Sequence, residues 1–169
     1  MSWSDLARVC AALGLAGGLS GCFEPLYGEA AHPGLVDDVR AIEVTPIKER
    51  VGHYLTDDLI ANLNGSGSSP PPKYKLNVAV ALKSQTPTVE SQVNAADSAT
   101  VVGDATYTLT KIGEEKPVLS GAATSAAAYD RTAQRYADLR AARDAEIRIA
   151  RALAAEIALR VSAGLAAQH

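Results

Sequence analysis

Two side chains in the first half of the chain have the types and the spacing that acid–base chemistry needs. His53 and Asp57 are four residues apart, so a helix would place the imidazole beside the carboxylate, as a hydrolase or a metal centre requires. A metal centre needs three or four convergent ligands, and His32 and His169 lie far from this pair in the sequence. The chain also contains no G-x-S-x-G, H-E-x-x-H or glycine-rich phosphate-binding motif. We therefore expect no enzyme activity, no metal and no cofactor, and interpret His53 as a surface residue of a helix.

Cys22 is the residue best placed for covalent modification. It follows Leu19-Ser20-Gly21 at the end of an uncharged run over residues 9–19. That run is too short to cross a bilayer, which takes about 20 apolar residues, but it has the length of the hydrophobic region of a signal peptide. The sequence therefore predicts a signal peptide over residues 1–21. The alternatives are an ordinary secretory cleavage site with an incidental cysteine, or a short buried helix.

The residues around Cys22 resemble the lipobox of bacterial lipoproteins, in which the cysteine becomes the lipidated first residue of the mature protein. The resemblance implies that acyl chains on Cys22 hold the protein on a membrane. Each buried methylene contributes about 0.8 kcal/mol, and stable anchoring takes more than one chain. In the resembling class an aspartate after the cysteine tends to retain the protein at the inner membrane, so Phe23 favours the outer membrane.

Composition limits the remaining chemistry. Cys10 and Cys22 are the two cysteines; the first leaves with the signal peptide and the second is consumed by lipid. No thiol then remains for a disulfide, a cysteine-based metal site or a nucleophile. The net charge is −3, with acids and bases interspersed, which argues against a nucleic-acid partner.

The sequence divides into a tether and one domain. Residues 22–37 contain Pro25, Gly28, Pro33 and Gly34 and are predicted to be the lipidated N-terminus and an irregular tether. Residues 38–168 are predicted to form the domain. Within it, alternation of apolar and polar residues over 38–44 predicts the first strand. Apolar residues every four positions then predict an amphipathic helix that ends at Asn64-Gly65; these residues are Val51, Leu55, Leu59 and Leu63.

The second half of the chain contains the clearest strands and the longest helix. Residues 74–82 alternate strictly, and residues 99–112 and 118–129 form a plausible hairpin around a turn at 113–116. Residues 132–167 contain no proline and are rich in helix formers. The sequence therefore predicts an α+β two-layer sandwich: a four-stranded, mostly antiparallel sheet with two helices on one face, in the order β-α-β-β-β-α. The opposite sheet face is small, polar and basic, so either water or a partner covers it.

The mature chain resembles a known family, the lipopolysaccharide-assembly outer-membrane lipoproteins of the LptE type. The likeness is carried by Phe23-Glu24-Pro25-Leu26-Tyr27-Gly28 directly after the cysteine, by residues 41–47 leading through Arg50-Val51-Gly52 into the first helix, by residues 74–78 and 105–109 in two strands, and by the terminal helix around 136–159. The resemblance implies a non-enzymatic plug and assembly partner of the LptD β-barrel. It also implies that the domain lies on the periplasmic side within the barrel lumen and contacts lipopolysaccharide.

Lipopolysaccharide contacts would require cationic side chains, because Lys and Arg give charge-assisted hydrogen bonds to phosphate. The strand before the last helix carries none over residues 122–128. The nearest candidates are Lys73, Lys75, Lys83 and Lys111, although exposed lysines on strands also serve to protect sheet edges. Two other functions stay open: an accessory lipoprotein of another envelope lipid-transport system of the ABC or MCE type, and a periplasmic hydrolase.

Overall fold

The structure is a computed structural model that describes residues 33–65, 70–85 and 98–168. The predicted signal peptide, Cys22 and the tether as far as residue 32 lie outside the described residues. The elements in chain order are helix α1 (Leu35–Arg40), strand β1 (Ile42–Val44), helix α2 (Arg50–Asn64), strands β2 (Tyr74–Gln85), β3 (Ser98–Lys111) and β4 (Pro117–Asp130), and helix α3 (Arg135–Ala166).

The strands form one mixed sheet in the order β1-β2-β3-β4. β1 runs parallel to β2, with Ile42 opposite Tyr74, and the other neighbours are antiparallel. A parallel pair needs a crossover connection, and α2 provides it. The predicted α+β two-layer sandwich with two helices on one sheet face is confirmed.

The core lies between the sheet and the two long helices. Leu76 and Leu109, opposite each other on β2 and β3, are fully buried, as are Leu55 on α2 and Ile157 on α3. Gly103 allows α3 to approach β3, because a Cβ at this position would lie 2.5 Å from the Ile149 Cγ2 atom. Leucine, isoleucine and alanine therefore form most of the buried surface.

The prediction of a strand over residues 38–44 is wrong for its first half. Helix α1 covers Leu35–Arg40, and the strand begins only at Ile42. Gly34 precedes the helix with a φ of 82°, a conformation that glycine adopts without steric cost. Leu35 and Val39 are four residues apart and both buried, so Val39 packs as part of a helix although it also fits a period of two. α1 thus begins inside the segment predicted as tether.

The other predicted elements agree with the structure to within a few residues. The long helix was predicted over 132–167 and is observed over Arg135–Ala166, with 32 residues. At 1.5 Å per residue it is about 48 Å long. Its first buried residue is Ala145, so the first turns project beyond the packed core.

Candidate functional site

The described elements leave uncovered the sheet face opposite the helices. The register of β2, β3 and β4 places side chains on it in rows across the three strands. They are Lys75, Asn77, Ala79, Ala81 and Lys83 of β2, Val102, Asp104, Thr106, Thr108 and Thr110 of β3, and Ser120, Ala122, Thr124, Ala126 and Ala128 of β4. These residues define the open face. None of them is aromatic, and most carry a methyl or hydroxyl group, so another flat surface can approach the backbone closely.

Asp104 is the centre of a small polar cluster on the open face. Its carboxylate accepts a hydrogen bond from the Thr124 hydroxyl at 3.0 Å and contacts the Lys83 ammonium at 3.2 Å. These contacts lower the pKa of Asp104 below its ordinary value of 3.8. The Thr124 hydrogen bond is the largest cause, and the hydrogen bond from Lys83 is the next. This cluster ties the three long strands together on the exposed side of the sheet.

The four candidate lysines do not form one site. Lys75 and Lys83 are eight residues apart on β2, which corresponds to about 26 Å. Lys73 binds Asp38 of α1 at 2.6 Å, and this contact raises the pKa of Lys73 above its ordinary value of 10.5. Lys83 binds Asp104, and Lys111 binds Glu114 at 3.3 Å. Of the four, Lys75 is the one without a carboxylate partner among the described residues.

His53 and Asp57 lie on the surface of α2. The His53 Nε2 and Asp57 Oδ2 atoms are 3.8 Å apart, and the two side chains are 78% and 65% exposed. In the part of the chain that the structure describes, no group of three or more His, Cys, Asp or Glu side chains could hold a metal ion. The two side chains therefore form a loose, solvent-exposed contact.

A groove at the start of α3 was missed by the sequence analysis. It has a volume of about 330 Å³ and is lined by Arg50, Tyr136, Leu139, Arg140, Ala142, Arg143 and Glu146. Arg50 holds Glu146 through a hydrogen bond of 2.7 Å, which joins α2 to α3. Tyr136 and Leu139 are 73% and 61% exposed. The signal for this groove in the sequence was the pair of large apolar side chains, Tyr136 and Leu139, among the arginines of the first helical turns.

The fold is that of a two-layer α+β domain, and none of the helices in the described ranges is long and apolar enough to cross a membrane. No family model matches the chain, and no curated protein matches it either. The similarities are to solved structures.

A crystal structure from Caulobacter crescentus CB15, described as a "putative lipoprotein", is 24% identical with a TM-score of 0.66. The alignment covers 82% of this chain and 98% of that one. A minor lipoprotein from Acinetobacter baumannii is 16% identical over 72% of this chain and 88% of that one, with a TM-score of 0.51. At these identities the likeness establishes a shared fold.

Proposed function

We propose that this chain is an outer-membrane lipoprotein that acts as plug and assembly partner of an LptD-type β-barrel in lipopolysaccharide transport. Its anchor would be acyl chains on Cys22, and its domain would lie on the periplasmic side, within the barrel lumen. The proposal rests on the lipobox and on the resemblance of the mature sequence described above. The similarity in fold to two structures described as lipoproteins supports it.

The open face is the observation that carries the proposal. A two-layer domain usually buries one sheet face and exposes the other to water. The side chains on such an exposed face are commonly charged. Between Ala79 and Ala81 on β2 and Ala126 and Ala128 on β4, the open face consists mainly of methyl and hydroxyl groups. Away from the Asp104–Lys83 ion pair, such short side chains lose little conformational entropy when a barrel wall covers them. The open face therefore suits a close-fitting partner.

Direct contact with lipopolysaccharide is the second part of the proposal, and Lys75 is its first candidate. Three of the candidate lysines already bind carboxylates, so a phosphate would have to compete with those partners. The Lys75 ammonium has no carboxylate within ion-pair distance in the described structure, although Glu43 is its register partner on β1. Lipid A phosphates would therefore bind at the β1 end of the open face.

The partner can be identified by affinity purification of the full chain, tagged at its C-terminus, from detergent-solubilised outer membrane. We expect a large β-barrel to remain bound and to be identified by mass spectrometry. Cys22→Ala removes the acylation site and should release the protein from the membrane fraction. Recovery of an inner-membrane ATPase complex or a periplasmic lipid-shuttling protein would instead support a different lipid-transport system.

The role of the open face is tested by a pair of tryptophan variants. Ala79→Trp places a bulky ring on the open face, and Ala61→Trp places the same ring on the exposed side of α2. We expect the first to lower barrel recovery at least tenfold and the second to leave it unchanged. Equal recovery with both would refute docking through this face. His53→Ala should leave barrel assembly intact; loss of assembly in a folded His53 variant would favour a hydrolase.

A further inference from the structure

The outer edge of β4 is a long row of backbone groups that no other strand in the described ranges covers. The strand order places β1 and β4 at the two edges of the sheet. β1 has 3 residues and β4 has 14. An exposed edge of that length is a template for pairing with another chain unless it is protected.

The hydrogen-bond pattern shows which residues of β4 face outwards. The Ile112 N–H donates to the Lys73 carbonyl at 2.9 Å, just beyond the paired residues Tyr74 and Lys111. In an antiparallel pair the bonded positions alternate, so even-numbered residues of β3 bond to β2 and odd-numbered ones bond to β4. Their partners on β4 are also odd-numbered. The N–H and C=O groups of even-numbered β4 residues therefore point away from the sheet.

Two arginines of α3 occupy only the ends of this row. Arg160 donates to the Ala122 carbonyl, and Arg148 donates to the Ala128 carbonyl at 2.9 Å. These acceptors are about 20 Å apart along the strand. Between them, the backbone groups of Thr124 and Ala126 that face outwards have no hydrogen-bond partner among the described residues. Residues 118–129 include no charge and no proline, the usual means of protecting an edge.

The flank of α3 beside this edge carries apolar side chains as well as the Arg160–Glu156 pair. Leu159 follows Arg148 by eleven residues, which is three helical turns, so it lies on the same side of the helix. Its side chain is 58% exposed. Ala152 and Ala163 belong to the same stripe and are exposed as well. A strand laid along β4 would pack its alternate side chains against this flank.

We propose that the edge of β4 between Ala122 and Ala128, together with the flank around Leu159, binds an extended strand contributed by the barrel partner. This inference rests on the function proposed above. An extended backbone is the ligand that matches donors and acceptors repeating at every second residue. Its side chains towards α3 are small or apolar. Arg148 and Arg160 already bind Asp144 and Glu156, so the added strand needs no acidic residues at its ends. A second copy of this chain fits less well, because the Arg148 and Arg160 side chains of both copies would occupy one shared edge.

The test compares two substitutions at one position in the tagged full chain. Ala126→Pro removes an outward N–H and no bond to β3, and its ring blocks an added strand. Ala126→Val retains the N–H and places a side chain of similar size on the open face. The readout is the amount of barrel that co-purifies from solubilised outer membrane per tagged protein. We expect a loss of at least tenfold for proline and less than twofold for valine.

Each outcome decides the matter. Wild-type recovery with Ala126→Pro would overturn the inference while leaving the barrel partnership intact. An equal loss with valine would assign the effect to the open face and would also overturn it. If the wild-type chain recovers no barrel, the proposed function itself fails. If an untagged copy of this chain is recovered in place of the barrel, the strand that binds this edge comes from a second copy of the chain, and the inference is overturned.

A second pair of variants covers the case in which proline disturbs the sheet. Leu159→Glu changes the exposed flank of α3 without touching a strand. Ile60→Glu makes the same kind of change on α2, at a residue that is 44% exposed and lies away from this edge. We expect Leu159→Glu to reduce barrel recovery at least fivefold and Ile60→Glu to leave it unchanged. Equal recovery with the two variants would refute strand addition at this edge.

Discussion

The guanidinium of Arg160 donates a hydrogen bond to the carbonyl oxygen of Ala122, so that a side chain of α3 covers a backbone acceptor on the outer edge of β4. Its second amino group binds the Glu156 carboxylate at 2.6 Å. The two bonds use the fixed fork geometry of arginine, which a lysine ammonium does not reproduce. The side chain therefore joins the last helix to the last strand.

Arg160→Lys should weaken this junction although it preserves the charge. We expect the free energy of unfolding to fall by about 0.5–1 kcal/mol, because one hydrogen bond at a partly exposed site is lost. Urea denaturation followed by circular dichroism measures the difference. Arg151→Lys is the matched control, since Arg151 is an exposed arginine of the same helix without a bond to another described residue. An equal loss in both variants would contradict the assignment.

Gly103→Ala should be more costly. A Cβ at this position would lie 2.5 Å from Ile149 Cγ2 and 3.1 Å from Leu82 Cδ2, so α3 has to move away from β3. Overpacking of this kind costs about 1–3 kcal/mol, measurable as a lower urea midpoint. Ile149→Leu removes the branch at Cβ that makes the closest contact, so the double variant should recover part of the loss. If the losses of stability in the two single variants simply add in the double variant, the contact between residue 103 and Ile149 does not set the distance between α3 and β3.

The lowered pKa of Asp104 should depend on both Thr124 and Lys83. The Thr124 hydrogen bond is the largest single cause, and Lys83 lowers the pKa through a hydrogen bond and through its charge. Thr124→Val and Lys83→Met should therefore each move the pKa of Asp104 upwards, towards 3.8. Carboxyl NMR titration of the wild type and the two variants measures these shifts. An unchanged pKa in either variant would show that the substituted residue does not stabilise the carboxylate.

The lowered pKa of Asp104 also gives the direction in which the stability of the fold depends on pH. Because the pKa of Asp104 is lower in the folded chain than its ordinary value of 3.8, the ionised carboxylate stabilises the fold above about that pH. Its contribution is lost as the pH falls through the folded pKa. Wild type and Asp104→Asn should therefore differ in stability at neutral pH and converge in strong acid. A difference that persists at pH 2 would have to come from the changed hydrogen bonds of the amide rather than from the charge.

Two of the main elements follow from the sequence because their patterns are unambiguous. Strict alternation over 74–82 and the absence of proline over 132–167 leave one assignment each. The short segment over 35–44 was ambiguous, because Val39 fits a period of two as well as a helical contact with Leu35. Only packing of both residues in the core decides for a helix.

The candidate site was less accessible to sequence analysis. Alternation on β2 identified the open face, and the lysines on it were correctly expected to be exposed. Their separation, and the carboxylates that bind Lys73, Lys83 and Lys111, depend on pairing between distant segments. The free edge of β4 depends on the same pairing, since the register with β3 determines which of its residues face outwards. The lack of charge over residues 118–129 was the available signal.

Adjacent proline substitutions on β4 test that register directly. Ala126 faces outwards with its N–H and Ala127 faces β3, opposite Val101. Ala127→Pro removes a ladder hydrogen bond inside the sheet, and we expect it to cost about 1–3 kcal/mol or more, or to prevent folding. Ala126→Pro loses no such bond, so it should cost less than Ala127→Pro. Thermal melting and urea denaturation of the two variants give the comparison. The two residues also differ in burial, because Ala127 lies on the core face and Ala126 on the open face, and this difference acts in the same direction. A reversed order of stability would therefore mean that β4 pairs with β3 one residue out of the register described, and that the outward row belongs to the odd-numbered residues.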